Sequence, residues 1–303
     1  MSLLTKNQMD WIKTSLGADS IQSVSVLPGG TSAEMFKIAV RSEGNILEAV
    51  LRLYTDKEWL EAEPDLAFHE ACAFAAVKDL PFHTPGLIAF DPSGTFCGCP
   101  AVLMTCLKGG VELFPADRIR WLRQLSEVLA AIHSLDTPPD FGWRYYPYYK
   151  SELLSAPEWS SCPELWSRGI AAVRNGQQKG TTGFIHRDFH PVNVMWENGE
   201  ISGVVDWVNA CLGPKQMDLA HCRLNLSLLY GVEEADAFLT GYLQLAPLPY
   251  EPFWDLKGLM EILPEPAVYK GWTDHGVSGL TDELIRERAD LYIQHIFMRI
   301  EKI

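Results

Sequence analysis

The sequence predicts an α+β fold of two lobes: a small antiparallel sheet with one helix, then a larger, mainly helical part. Three observations carry this expectation. Apolar runs of strand length crowd residues 20 to 104, helical periodicity dominates after "KGG" at 108 to 110, and a single polar cluster interrupts the second part at 184 to 210.

The elements follow in chain order. In "MSLLTKNQMDWIKTSLG", Leu3, Leu4, Met9, Trp11, Ile12 and Leu16 fall on one helical face; no basic start precedes an apolar core, so this is not the pattern of a signal peptide. "IQSVSVLPGGTSAEMFKIAV" reads as two strands around a Gly-containing turn, and "NILEAVLRLY" as a third. "PDLAFHEACAFAAVKDL" has helical spacing, with Leu66, Cys72, Ala73, Ala76, Val77 and Leu80 supplying much of its apolar face. "GLIAFD" and "PAVLMTCL" are two more strands, with "PSGTFCGC" as turn material between them. "PADRIRWLRQLSEVLAAIHSL" then begins the helical part. The expected division is an N-terminal lobe at 1–104, a hinge at 105–110 and a helical lobe at 111–303.

Bulk properties narrow the function. The 303 residues are 47% hydrophobic and 21% charged, which excludes disorder, and no run reaches the ~18–20 apolar residues that span a bilayer. Seven scattered cysteines include one close pair, Cys97 and Cys99, with no second pair to complete a zinc site. A reducing, cytoplasmic setting is the expectation. With 25 basic against 39 acidic side chains the net charge is -14, which argues against a nucleic-acid partner. The same charge suits a cationic small molecule or serves solubility alone. Oligomeric state is not legible.

The cluster "FIHRDFHPVNVMWENGEISGVVDWVNA" carries the chemistry. His186, Arg187, Asp188 and Asn193 fit H-R-D-x-x-x-x-N. Strand-like Val194 to Trp196 and Ile201 to Asp206 flank "ENGE", where Asn198-Gly199 signals a two-residue hairpin turn. Such a hairpin brings Asn193 and Asp206 together, an amide oxygen and a carboxylate suited to Mg2+. Asp188, on the loop before it, is placed to accept or orient a hydroxyl proton. Two alternatives use the same residues. His186 and His190, four apart around Asp188, form a possible metal nest, although Pro191 breaks a continuous helical face. A serine hydrolase has no G-x-S-x-G to offer its nucleophile.

"FIHRDFHPVNVMW...GVVDWVNACLGPKQMDLAHCRLNL" resembles the aminoglycoside phosphotransferase and choline kinase-like family, relatives of the protein kinases, strongly over 184 to 225 and more loosely from about residue 20. The resemblance implies a bilobal protein kinase-like fold and ATP- and Mg2+-dependent phosphoryl transfer. It implies Asp188 as catalytic base, Asn193 and Asp206 as Mg2+ ligands, and Asp218 of "D-L-A" as a structural brace with His186 in support. It implies a shortened glycine loop at Gly29 and Gly30 with Ser32, and no Walker-type P-loop is present. Arg52 stands where protein kinases carry lysine, with Glu70 as its helical partner; an exposed edge-strand arginine is the alternative, and Lys37 a weaker substitute. Backbone groups near Thr105 and Leu107 would meet adenine, with Met104 behind it and His133 packing the lobe.

Asp218 follows Asp206 by twelve positions with no A-P-E element, too short for a protein kinase's activation segment, so the expected acceptor is a small-molecule hydroxyl. "FGWRYYPYYKSEL" and "YEPFWDLKGLMEILPEP" offer Trp143, Trp254, Asp255 and Glu261 to a cationic acceptor; packing of the aromatics and solvation of the acids is the alternative. An aminoglycoside-type acceptor, a metabolic one (choline, homoserine or a sugar), and a nucleotide-binding regulator with little transferase activity all remain open.

Overall fold

The computed structural model describes residues 3–27, 33–136, 140–176 and 178–301, and these fall into two units, Met1–Gly109 with Ser202–Asn209, and Gly110–Ile201 with Ala210–Ile303.

The first unit is built on a five-stranded antiparallel sheet. It starts with helix α1 (Lys6–Leu16), opened by a Thr5/Gln8 capping box and closed by Gly17 at φ 58. Strands β1 (Ser20–Val26), β2 (Glu34–Ser42) and β3 (Asn45–Leu53) follow, then α2 (Lys57–Ala62), α3 (Leu66–Val77), β4 (Leu87–Asp91) and β5 (Ala101–Thr105). The sheet order is β1-β2-β3-β5-β4, so β3 is central. Period-two burial of Phe36, Ile38 and Val40 on β2 places one face against Leu4 and Ile12, forming a single core with Leu51, Leu53 and Leu103. Between β4 and β5, the Asp91 carboxylate accepts from the N–H groups of Thr95, Phe96 and Cys97, which ties "PSGTFCGC" into a turn. Short α2 had no distinct sequence signal; its Asp56 cap, accepting from the Trp59 N–H, is what starts it.

The second unit is mainly helical. It holds β6 (Gly110–Val111), α4 (Arg118–His133), α5 (Pro163–Asn175), β7 (Thr182–Ile185), β8 (Val194–Glu197), the start of β9 (Glu200–Val204), β10 (Cys211–Pro214), α6 (Lys215–Leu229), α7 (Val232–Leu245), α8 (Pro252–Leu259), α9 (Lys270–Asp274) and α10 (Asp282–Ile300). Its core joins Trp166 and Ile170 of α5, Leu224 and Leu228 of α6, Leu256 and Leu259 of α8, and Tyr292, Ile293 and Ile296 of α10. Two small sheets, β7-β10 and β6-β8-β9, lie at the polar cluster. The β8–β9 turn has Asn198 at φ 55 and Gly199 at φ 77, the two positive values that a type I′ turn requires. No helix among the described residues is long and apolar enough to cross a membrane. The fold is α+β, as the sequence leads one to expect.

Candidate active site

In the second unit, β7 carries the chain to the polar loop. Phe184 and Ile185 at its end are fully buried, and its register with β10 pairs Ile185 with Cys211. The next residues cannot continue the ladder, because Arg187 turns left-handed at φ 68. Asp218, fully buried on α6, compensates: Oδ1 accepts from the Arg187 N–H at 2.6 Å and Oδ2 from the His186 N–H at 2.8 Å. Behind it, His133 Nε2 lies 3.1 Å from Asp218 Oδ2, and His133 Nδ1 lies 2.7 Å from the Tyr242 hydroxyl. The Arg187 guanidinium sits 4.0 Å from the Tyr148 ring centroid and 4.2 Å from that of Tyr146, and donates to the Tyr146 carbonyl at 2.7 Å. His186 Nδ1 accepts from the Asp188 N–H at 3.3 Å.

This scaffold presents Asp188 with its side chain 29% exposed. Oδ2 accepts from Asn193 Nδ2 at 3.1 Å, and the same amide nitrogen bonds the Asp188 carbonyl at 2.8 Å. With its nitrogen so committed, Asn193 retains its amide oxygen as an acceptor, the donor chemistry a hard cation takes. Oδ1 faces two imidazoles, His221 Nε2 at 3.1 Å and His190 Nε2 at 3.6 Å. Burial would raise the Asp188 pKa, but the His190 charge, the hydrogen bond and charge of His221 and the charge of His186 prevail and hold it well below the usual carboxylate range. His221 shows the converse. Burial works to lower its pKa, while hydrogen bonds to Asp188 and Glu261, and the charges of both, raise it to about 10.

In the first unit, Arg52 on β3 is buried rather than on an edge, and forks between two carboxylates: Nη1 to Glu70 at 2.6 Å and Nη2 to Asp206 at 2.9 Å. Tyr54 donates to the other Glu70 oxygen at 2.7 Å. Burial pushes the Glu70 carboxyl up while Arg52 and Tyr54 pull it down. Asp206 follows β9 at φ 66, and Trp207 beside it is fully buried with its indole N–H on the Val204 carbonyl. Lys37 is not part of this group: it pairs with Glu48 at the surface, at 2.9 Å.

Of the other expected cofactor residues, Gly29, Gly30 and Ser32 lie outside the described residues. Met104 is buried on β5. The Thr105 N–H donates to the Gly86 carbonyl at 2.9 Å and its hydroxyl accepts from the Gly86 N–H, so that N–H is already engaged. The Leu107 side chain lies over Gly203, where an added Cβ would meet its Cδ1 at 2.7 Å.

The four acceptor candidates separate. Asp255 is corrected: fully buried, it accepts from Arg223 at 2.8 Å, Arg299 at 3.0 Å and the hydroxyls of Tyr250 and Tyr292, an internal hub with no face for a ligand. Trp254 is corrected as well, packed in a cluster with Met217, Ala220 and Phe253. Trp143 is half-buried, its ring against Phe141 and its carbonyl taking the Leu212 N–H. Glu261 alone of the four contacts a partner of Asp188, with Oε2 3.4 Å from His221 Nδ1. Sequence reasoning missed His221. Its signal was positional, because it sits three residues after Asp218 on α6 and so shares that helix face.

A carboxylate loop braced by a buried aspartate, beside a three-stranded hairpin sheet, and an Arg–Glu pair on a central strand and its helix define the kinase-like class. The chain belongs to the phosphotransferase enzyme family, whose model matches residues 23–254. Among curated proteins it is similar to the homoserine kinase of Chelativorans sp. (strain BNC1), 28% identical over 180 residues, 52% of each chain. The chain thus spans about half the length of the curated relatives it matches. Among solved structures it resembles the macrolide 2'-phosphotransferase MphH from Brachybacterium faecium (TM-score 0.62, 17% identity, covering 95% of this chain and 98% of that one). It also resembles a thermostable mutant of aminoglycoside phosphotransferase APH(4)-Ia in ternary complex with AMP-PNP and hygromycin B (TM-score 0.63, 14% identity, 96% and 98%). At these identities the structural likeness speaks for the fold.

Proposed function

We propose that this protein is a small-molecule kinase that moves the γ-phosphoryl group of ATP, with Mg2+, to an acceptor hydroxyl. The observation that carries the reading is Asp188: a part-exposed carboxylate that follows a backbone locked to Asp218 at His186 and Arg187, and whose oxygens are aimed by Asn193 and His221. Held ionised by its histidines, it orients the hydroxyl for in-line attack and takes its proton late, as a loose phosphoryl transition state allows. Asn193 and Asp206 supply oxygen ligands to Mg2+, which neutralises phosphate charge when bound. Arg52, steadied by Glu70, offers its guanidinium to phosphate oxygens, and the backbone near Thr105 and Leu107 meets the adenine, with Gly29, Gly30 and Ser32 as the phosphate-facing loop.

Asp188→Asn keeps the shape and the Asn193 contact but removes the proton acceptor. Turnover should fall by about 100-fold or more, with circular dichroism and melting temperature unchanged; undiminished turnover in a folded variant would sink the mechanism. An amine-bearing acceptor suits the carboxylates gathered here, Asp188 and, across His221 from it, Glu261. Homoserine, the acceptor named by the curated relatives, and aminoglycosides share that chemistry. A thermal-shift panel of aminoglycosides, macrolides, choline, homoserine and sugars separates the resistance reading from the metabolic one. Calorimetry with ATP and Mg2+ beside a slow-hydrolysis assay distinguishes a regulator that binds nucleotide without transfer.

A further inference from the structure

One oxygen of Asp188 faces two imidazoles, a crowding that phosphoryl transfer does not require. His221 Nε2 and His190 Nε2 stand 3.1 and 3.6 Å from Asp188 Oδ1, and the three ligand atoms all lie within 4.8 Å of one another. Bonds of about 2.0–2.1 Å to a tetrahedral Zn2+ put neighbouring ligands about 3.3 Å apart. Two edges of the cluster bracket that length before any ion enters. The outer support is also in place. His221 Nδ1 faces Glu261 Oε2 at 3.4 Å, the imidazole–carboxylate arrangement that orients a ligating ring and strengthens it. The second Asp188 oxygen is fixed by Asn193 at 3.1 Å.

We propose that Asp188, His190 and His221 form a binding site for a borderline transition-metal ion of the Zn2+ or Co2+ kind, separate in donor chemistry from the Mg2+ ligands. Two imidazoles and one carboxylate select such ions over Mg2+, which prefers oxygen and keeps its water. His190 is buried, while Asp188 and His221 are 29% and 19% exposed, which leaves a coordination position for water. Occupation takes the loop carboxylate away from an acceptor hydroxyl, so the bound ion inhibits; that consequence rests on the proposed function, whereas binding does not.

The test uses the full chain, stripped with chelator, in excess Mg2+ and without nucleotide or acceptor. Co2+ is followed by visible absorption and Zn2+ by calorimetry. Expected are one equivalent bound and the intense cobalt bands of low coordination number. His221→Asn and His190→Gln should weaken binding by about 100-fold or more and Glu261→Gln by about 10-fold or more, while Asp206→Asn leaves it intact. Unchanged affinity in folded His221→Asn, thiolate-to-cobalt bands from one of the seven cysteines, or no cobalt bound by the wild-type chain would each overturn the assignment. The wild-type cobalt spectrum needs no variant, so it stands even where His190→Gln fails to fold. Phosphoryl transfer is not read, so its absence would leave this result untouched.

Discussion

Arg52 shows how much one residue is asked to balance. Its guanidinium neutralises Glu70 and Asp206 at once, and Glu70 is buried. Arg52→Met removes the cation and leaves a buried carboxylate without its counter-charge, so urea unfolding should report a loss of about 3–5 kcal/mol. Arg52→Lys keeps the charge but not the fork, cannot reach both acids with planar geometry, and should fall between. Arg187 makes a second residue-scale case. Its φ of 68 is costly for any residue with a Cβ, and the stacking on Tyr146 and Tyr148 offsets that cost. Arg187→Ala keeps the strain and loses the contacts, whereas Arg187→Gly loses the contacts but relieves the strain. The glycine variant should therefore be more stable than the alanine one by about 1 kcal/mol in the same unfolding assay. Equal stability of the two would mean the left-handed turn is not maintained.

Elements are joined at the buried polar step from α7 through α4 to α6: Tyr242, His133 and Asp218 in sequence. Burial holds the His133 pKa below its ordinary value, outweighing the hydrogen bond and charge of Asp218, so the folded chain keeps this imidazole neutral. Neutral, it donates through Nε2 to Asp218 and accepts from Tyr242 through Nδ1. The unfolded chain takes up a proton as pH falls below about 6.5, so stability is full above that value and is lost from there towards the lower folded pKa. Between about pH 7.5 and about pH 5.5 the wild type should lose more unfolding free energy than His133→Gln, which starts less stable but has nothing there to titrate. Parallel losses would remove His133 from the pH dependence. Legibility also divides at this scale. The period of α4, the strands β1 to β5 and the Asn198-Gly199 turn were readable because local sequence decides them. The four-residue β7–β10 pair was not, since such short apolar runs have no period to detect. Asp255 beside Trp254 read as a ligand face because the arginines that bury it are 32 and 44 positions away in the chain. His221 was hidden for the same reason: its partner Glu261 lies 40 positions on.

At the scale of the whole molecule the informative quantity is the charge, -14 from 25 basic and 39 acidic side chains. Ion pairs such as those of Arg52, Arg223 and Arg299 are already counted in that balance, so the whole surplus is uncompensated by basic side chains and acts beyond contact range. In the proposed reaction the phosphoryl donor is an anion that this field repels, so of the two substrates only a cationic acceptor gains from it. For an acceptor of net positive charge, kcat/KM should fall several-fold as salt rises from about 0.02 M to about 0.3 M, because the screening length shrinks below the reach of the field. The loss should appear in KM, with kcat unchanged, since chemistry follows after the acceptor is seated. A neutral sugar acceptor, measured at saturating ATP and Mg2+, should show no such trend. If the amine acceptor is equally indifferent to salt, the acidity serves solubility, and selection of the acceptor falls to short-range contacts such as Glu261.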